Sequence, residues 1–163
     1  VDRAAEIQEE YTAIDSLTVT AEVTADYGDR VYEFRLKYTG DDEEGTVEIL
    51  SPESVKGIAA RLTSGGRALR YDGAELSLGS LTKDGLSPME CLPFMIGRWK
   101  NGYVSGAVTE KLDGTDTVAV TFDVSENESL VTWFEADSSL PVRAELFFDG
   151  DMVIRCEFEN IIT

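Results

Sequence analysis

The stretch LPVRAELFFDGDMVIRCEFENI, Leu140 to Ile161, carries two alternating runs on either side of one Asp-Gly pair. Val142, Ala144, Leu146 and Phe148 precede the pair. Met152, Ile154, Cys156 and Phe158 follow it, opposite Arg155, Glu157 and Glu159. A period of two means a strand with one buried and one wet face. The Asp149-Gly150 link is too short for a parallel crossover, so the two strands must run antiparallel. An antiparallel sheet with one apolar face is the starting point for the rest of the chain.

The same grammar extends in both directions. Leu130-Val131-Thr132-Trp133-Phe134 is apolar on both faces and follows a turn at Ser125–Glu128. Val118, Val120, Phe122 and Val124 alternate with Thr117, Ala119, Thr121 and Asp123, after an Asp113-Gly114 turn. Near the start, Leu17, Val19, Ala21, Val23 and Ala25 alternate with polar residues. A Gly28-Asp29 turn then leads to Tyr32, Phe34, Leu36 and Tyr38. GDDEEG, Gly40 to Gly45, reads as a solvated loop. In VEILSPESVKGIAARL, Val47 to Leu62, the strand of Val47, Ile49 and Leu50 breaks at Ser51-Pro52. Apolar character resumes from Val55, and Gly57 is expected to relieve crowding at the bend. Leu69-Arg70-Tyr71, a turn at Asp72-Gly73, and Leu76 with Leu78 complete the pattern. Strands joined by tight turns form a meander. Neither a repeat nor a linker divides it, so residues 1–163 are predicted to be a single domain.

Two segments have helical spacing instead. Ala4, Ile7, Tyr11 and Ile14 share one helix face, with Asp2 placed to cap its start. In LSPMECLPFMIGRWKNG, Leu86 to Gly102, Ser87 and Glu90 have capping-box spacing, and Pro88 falls at the first helical position. Met89, Leu92, Ile96 and Trp99 form the stripe, Pro93 is expected to kink it, and Gly97 or Gly102 to end it. A helix this apolar must lie on the sheet. The fold class is therefore mainly β: a large curved antiparallel sheet with an N-terminal helix and a mid-chain helix on its concave side. Such a sheet encloses an apolar space that side chains or a ligand fill. Phe34, Leu36, Leu92, Phe94, Met95, Ile96 and Trp99 are the candidate ligand contacts, and the same positions also serve as ordinary core.

Composition narrows the function. The chain has 163 residues, 42% apolar and 28% charged, with 32 acids against 14 bases and a net charge of −18. That surface repels nucleic acid and anionic headgroups; such acidity more often serves solubility, and basic partners stay open as an alternative. With no histidine, the chain lacks the commonest general base and metal ligand. Asp41-Asp42-Glu43-Glu44 reads as a solvated charge run, and DGTD, Asp113 to Asp116, lacks the pattern of a calcium loop. With no phosphate-cradling loop or nucleophile elbow either, a non-enzymatic domain without cofactor or metal is expected. Cys156 sits on the apolar face of its strand and Cys91 in the segment that covers the sheet. The two are predicted to lie near each other, as a disulfide or as two buried thiols.

The order of elements resembles the LolA-like, outer-membrane-lipoprotein-sorting-type family. The likeness is carried by the Ser-Pro kink, the Lys56-Gly57 strand and the Tyr71-Asp72-Gly73 turn, by the terminal hairpin introduced by Leu140-Pro141-Val142, and by the opening helix followed by SLTVTAEV. In tone it is nearest to Gram-positive, clostridial GerS-like lipoproteins of sporulation and germination. The resemblance implies an unclosed, eleven-strand-like half barrel with a helical lid. It also implies extracytoplasmic placement as a lipoprotein whose lipid-bearing cysteine would precede Val1. The function implied is binding of a lipid or lipoprotein acyl chain on the concave face. The alternative is a protein-interaction or scaffold module of the envelope or spore, with a filled core and no ligand. The chain departs from the carriers in one place: the acidic loop and VEILSPES stand where carriers have an arginine-rich segment, and Arg35 is not matched to their lid-latching arginine.

Overall fold

The computed structural model describes residues 3–41, 43–63, 66–71 and 88–163, with the backbone path alone for 62–63 and 66–71. The Asp2 cap, the Asp72-Gly73 turn, the Leu76 and Leu78 strand and the Ser87 end of the capping box lie outside the described residues.

Among the described residues, ten strands form one antiparallel sheet. They are β1 (Ser16–Asp26), β2 (Val31–Asp41), β3 (Glu44–Ser51), β4 (Ala59–Thr63), β5 (Gly66–Tyr71), β6 (Tyr103–Leu112), β7 (Thr115–Ser125), β8 (Glu128–Glu135), β9 (Pro141–Phe148) and β10 (Asp151–Ile162). Their spatial order is β5-β4-β3-β2-β1-β10-β9-β8-β7-β6. Two meanders, β1 to β5 and β6 to β10, are thus sewn together by the first and last strands. The sheet stays open as a half barrel, with β5 and β6 at opposite edges. The chain must cross the whole sheet between them, and the helix α2 (Cys91–Asn101) lies on that crossing. The helix α1 (Arg3–Thr12) packs against α2 and β7.

Alternation explains the layering. Leu17, Val19, Ala21, Val23 and Ala25 of β1 are all buried. Val23 is flanked by Phe34 on β2 and Cys156 on β10, and Ala21 by Leu36 and Phe158. Small side chains on β1 between larger ones leave a floor on which a helix can rest. The opposite face is wet and laced by cross-strand pairs: Arg35–Glu159 at 2.8 Å, Arg143–Glu157 at 2.7 Å and Arg155–Glu145 at 2.8 Å. The first is exposed and the other two part-buried, and surface pairs of this kind contribute little each, of the order of 1 kcal/mol or less. The apolar face supplies the main drive for folding.

The turns follow their residue chemistry. Asp113 and Gly114 take φ of 50° and 83°, and Asp149 and Gly150 take 51° and 84°. Both pairs thus supply the double left-handed conformation that matches the twist of a two-residue hairpin. At the first hairpin, the Tyr27 N–H donates to the Arg30 carbonyl at 2.9 Å around Gly28-Asp29.

Several local expectations change. The solvated loop expected over Gly40–Gly45 is tighter: Gly40 and Gly45 pair across the ladder, and Asp41 Oδ1 accepts the N–H groups of Glu43 and Glu44. β4 begins at Ala59, not Val55, because Glu53–Val55 forms a 3-10 turn after Ser51-Pro52, a cis bond. Gly57 does not relieve crowding, since an added Cβ would meet nothing within 4 Å; its φ of 92° is what calls for glycine. A bulge in β10 sets Met152 opposite Phe147 and Ile154 opposite Leu146. Met152 therefore leaves the face it was expected to share with Ile154 and Cys156. β6 was not foreseen from the sequence.

Candidate functional site

The mid-chain helix starts later than its capping-box spacing predicts. Pro88, Met89 and Glu90 form a turn, and Glu90 is the N-cap of α2 without a side-chain bond. Pro93 therefore falls in the first turn, where no N–H is needed, and it does not kink the helix. The first intrahelical bond runs from the Phe94 N–H to the Glu90 carbonyl at 3.1 Å. Gly102 closes the helix, its N–H donating to the Arg98 carbonyl at 2.7 Å. A Cβ there would lie 2.6 Å from that carbonyl oxygen.

α2 turns Cys91, Leu92, Met95, Ile96 and Trp99 onto the sheet, all buried, with Met89 buried just ahead of it. Phe34 and Leu36 of β2 belong to the same apolar cluster, and Phe94 packs half-buried against it. Six of the seven candidate contacts thus lie in this cluster and Phe94 against it, but the cluster also takes in most of the buried residues of the sheet. Trp99 is the centre of one end. Its ring lies 5.2 Å from that of Tyr11 and 5.5 Å from those of Phe134 and Phe158. Its indole N–H donates to the buried Thr132 hydroxyl at 2.9 Å. Sequence reading placed Thr132 on an apolar strand and missed this bond, because a lone threonine gives no signal of its partner.

At the other end, the Sγ atoms of Cys91 and Cys156 stand 3.9 Å apart, both fully buried as free thiols. The bond with Cys91, and then burial, push the Cys156 thiol well above its ordinary value. Burial likewise raises the Tyr11 phenol, which donates to the Ser139 carbonyl at 2.6 Å. The Arg98 guanidinium sits 4.8 Å from the centre of the Phe94 ring. Among the described residues, no group of three His, Cys, Asp or Glu side chains is placed to hold a metal. Nor is any helix there long and apolar enough to cross a membrane.

The polar anchoring of α2 is lopsided. Among the described residues, its hydrogen bonds to other elements cluster at Arg98–Gly102. Trp99 bonds Thr132, the Gln8 amide donates to the Gly102 carbonyl at 2.9 Å, the Thr12 hydroxyl donates to the Lys100 carbonyl at 2.7 Å, and the Lys100 ammonium donates to the Ile14 carbonyl at 3.1 Å. Among the described residues, the N-terminal half touches the sheet through apolar side chains and one thiol pair. Among the described residues, open clefts lie at strand turns and along α1. One of about 530 Å³ is lined by Tyr27, Phe148, Met152 and Val153 with the hairpin residues Asp26, Gly28 and Asp151.

A concave apolar face under a one-ended helix defines a class of fold. It is the open half barrel that the order of elements implied, and it is shared with solved structures of other proteins. The sequence itself matches no family model and no curated protein. The fold is similar to that of a Vibrio parahaemolyticus domain described as an outer membrane lipoprotein-sorting protein, at 10% identity and a TM-score of 0.51. That match covers 98% of this chain and 90% of the other. An uncharacterized conserved protein of Thermus thermophilus is similar at 12% identity and a TM-score of 0.55, over 99% of this chain and 87% of that one. MucB of Pseudomonas aeruginosa, in its complex with MucA, matches at 12% identity and a TM-score of 0.50, over 99% of this chain and 57% of that one. At these identities the likeness is one of fold.

Proposed function

We propose that this chain is a non-enzymatic, extracytoplasmic domain, held at the envelope as a lipoprotein, that receives the acyl chain of a lipid or lipoprotein beneath α2. The lopsided anchoring of α2 carries this reading. Its last turn is tied by hydrogen bonds to α1 and β8, whereas its first turns are held by contacts an acyl chain can replace at little cost. A swing of α2 about Trp99 would expose Phe34, Leu36, Leu92, Met95 and Ile96 without breaking, among the described residues, a polar bond to the sheet outside the thiol pair. The fold shared with a lipoprotein-sorting domain supports the same reading. Native mass spectrometry of protein isolated from membranes, with titration by a fluorescent fatty acid, tests it. Bound acyl mass and saturable uptake are expected. A clean unliganded mass without uptake would count against it.

A second reading is favoured by the packing of the candidate contacts. They lie buried or half-buried in one apolar cluster, and the clefts among the described residues open at strand turns or along α1. On this reading the domain is a protein-interaction or scaffold module of the envelope or spore. Its strong negative charge would select a basic partner. A partner recovered at low salt and lost at high salt, without acyl uptake, would favour it.

A further inference from the structure

The geometry points to the free edge of β6 as a docking site for an extended, positively charged peptide segment of a partner protein, which would add a strand to the sheet. β6 pairs only with β7, and no other described strand meets its outer edge. From Gly106 to Leu112 its register with β7 is unbroken, so the backbone there is a regular strand with unpaired groups along one side. From Ser105 to Lys111 its side chains are exposed on both faces, whereas Val104 and Leu112 are half-buried; Tyr103 is 71% and Val108 60% exposed. From Tyr103 to Thr109 it carries no charge and no proline. Proteins usually protect such an edge with charges, prolines or a cover. Among the described residues, one bulge at Ser105 and the pair Glu110-Lys111 are the only such devices here. An edge left this open suits main-chain recognition by strand addition.

Charge selects the occupant. Tyr103 lies opposite Asp123, and Asp123 opens a cleft of about 360 Å³ that also holds Glu126, Glu128 and Asp149. None of these four carboxylates has an ion pair among the described residues. A strand along β6 with lysine or arginine at the end beside Tyr103 would bring its cations toward the near side of this cleft, at Asp123. A second copy of this chain would bring its own charge of −18 against the same edge. The surface lies away from the concave face, so its test stands apart from acyl uptake.

The probe is a ten-residue peptide of alternating valine and threonine with two lysines at one end, compared with its twin carrying two glutamates. Amide hydrogen exchange of the protein is read with each. The lysine peptide is expected to slow exchange at alternate residues between Gly106 and Leu112, and binding should weaken severalfold in high salt. Asp123→Asn with Glu126→Gln should weaken it about tenfold without altering the fold. Ala107→Pro and Val108→Pro are made separately, since one of the two N–H groups points outward. The variant that keeps the melting temperature should lose binding. Unchanged β6 exchange with the lysine peptide would overturn the proposal, as would equal binding of the glutamate peptide. Protection of β6 that grows with protein concentration alone would overturn it too, by assigning the edge to a second copy.

Discussion

Trp99 shows how much one side chain can organise when its ring and its N–H have different tasks. The ring joins α1, β8 and β10, while the N–H satisfies a threonine with no access to water. Trp99→Phe keeps most of the packing and removes the donor, so urea unfolding should report a loss of about 1–2 kcal/mol. Adding Thr132→Val should recover part of it, because no polar group is then left unpaired. A double-mutant cycle with no coupling would show that the bond adds nothing. The ring contacts were legible as a helical apolar stripe, whereas the partner of the N–H was not, since it lies across the sheet. Gly40 and Gly45 carry a similar lesson. Read as loop punctuation, they turn out to flank the Tyr38 ring, whose hydroxyl would lie 2.2 Å from a Cβ at Gly40 and 2.5 Å from one at Gly45. Gly45→Ala should cost about 1–3 kcal/mol by overpacking, and Tyr38→Leu should relieve it. Equal melting temperatures for Gly45→Ala and the parent would contradict this.

Among the elements, α2 was readable and β6 was not, for the same physical reason. Burial writes a period into a sequence. α2 buries one face and therefore shows its stripe. β6 buries no side chain fully, so Tyr103–Leu112 mixes small, polar and apolar residues without alternation. The start of α2 was misplaced because capping-box spacing is a weak signal, and the alternative start at Cys91 puts Pro93 where it costs nothing. The thiol pair offers a handle on α2. Exchange with oxidised glutathione is expected to join Cys91 to Cys156, the two electrons passing to the glutathione disulfide and releasing two glutathione thiols. The bond would close a long loop and raise stability by about 4 kcal/mol on chain-entropy grounds. If α2 is the moving part, oxidation should also abolish acyl uptake, and dithiothreitol should restore it. Two titratable thiols remaining in the denatured protein after oxidation would end the idea of a bond.

For the molecule as a whole, charge and buried protons set the response to solution conditions. A net charge of −18 on 163 residues opposes compactness, so added neutral salt should raise the melting temperature at neutral pH. At high pH the sign is fixed by Cys156, Tyr11 and Tyr27, whose acidic protons are held above their ordinary values. Cys156 is held by its bond with Cys91 and by burial, and the two phenols chiefly by burial. The unfolded chain releases these protons first. Their contribution to stability is therefore complete below the ordinary thiol value, and is lost as pH rises through the raised ones. Melting temperatures should be flat near neutrality and fall from about pH 9 upward, less steeply in Tyr11→Phe. A melting temperature that held steady through that range would refute the assignment. At this scale the sheet and its two helices were legible because alternation and tight turns leave few topologies. The order of strands across the sheet was not, since the pairing of β1 with β10 leaves no local mark.

That pairing also orders events in time. Each meander is stitched by neighbours in sequence and can form quickly, but the seam between them joins opposite ends of the chain. A ribosome delivers β1 early and β10 last of the described strands, so the first meander must wait with one edge bare until residues 151–162 emerge. Substitutions at the Asp149-Gly150 turn should then slow folding, while those along the seam, such as Ala21→Gly, should mainly hasten unfolding.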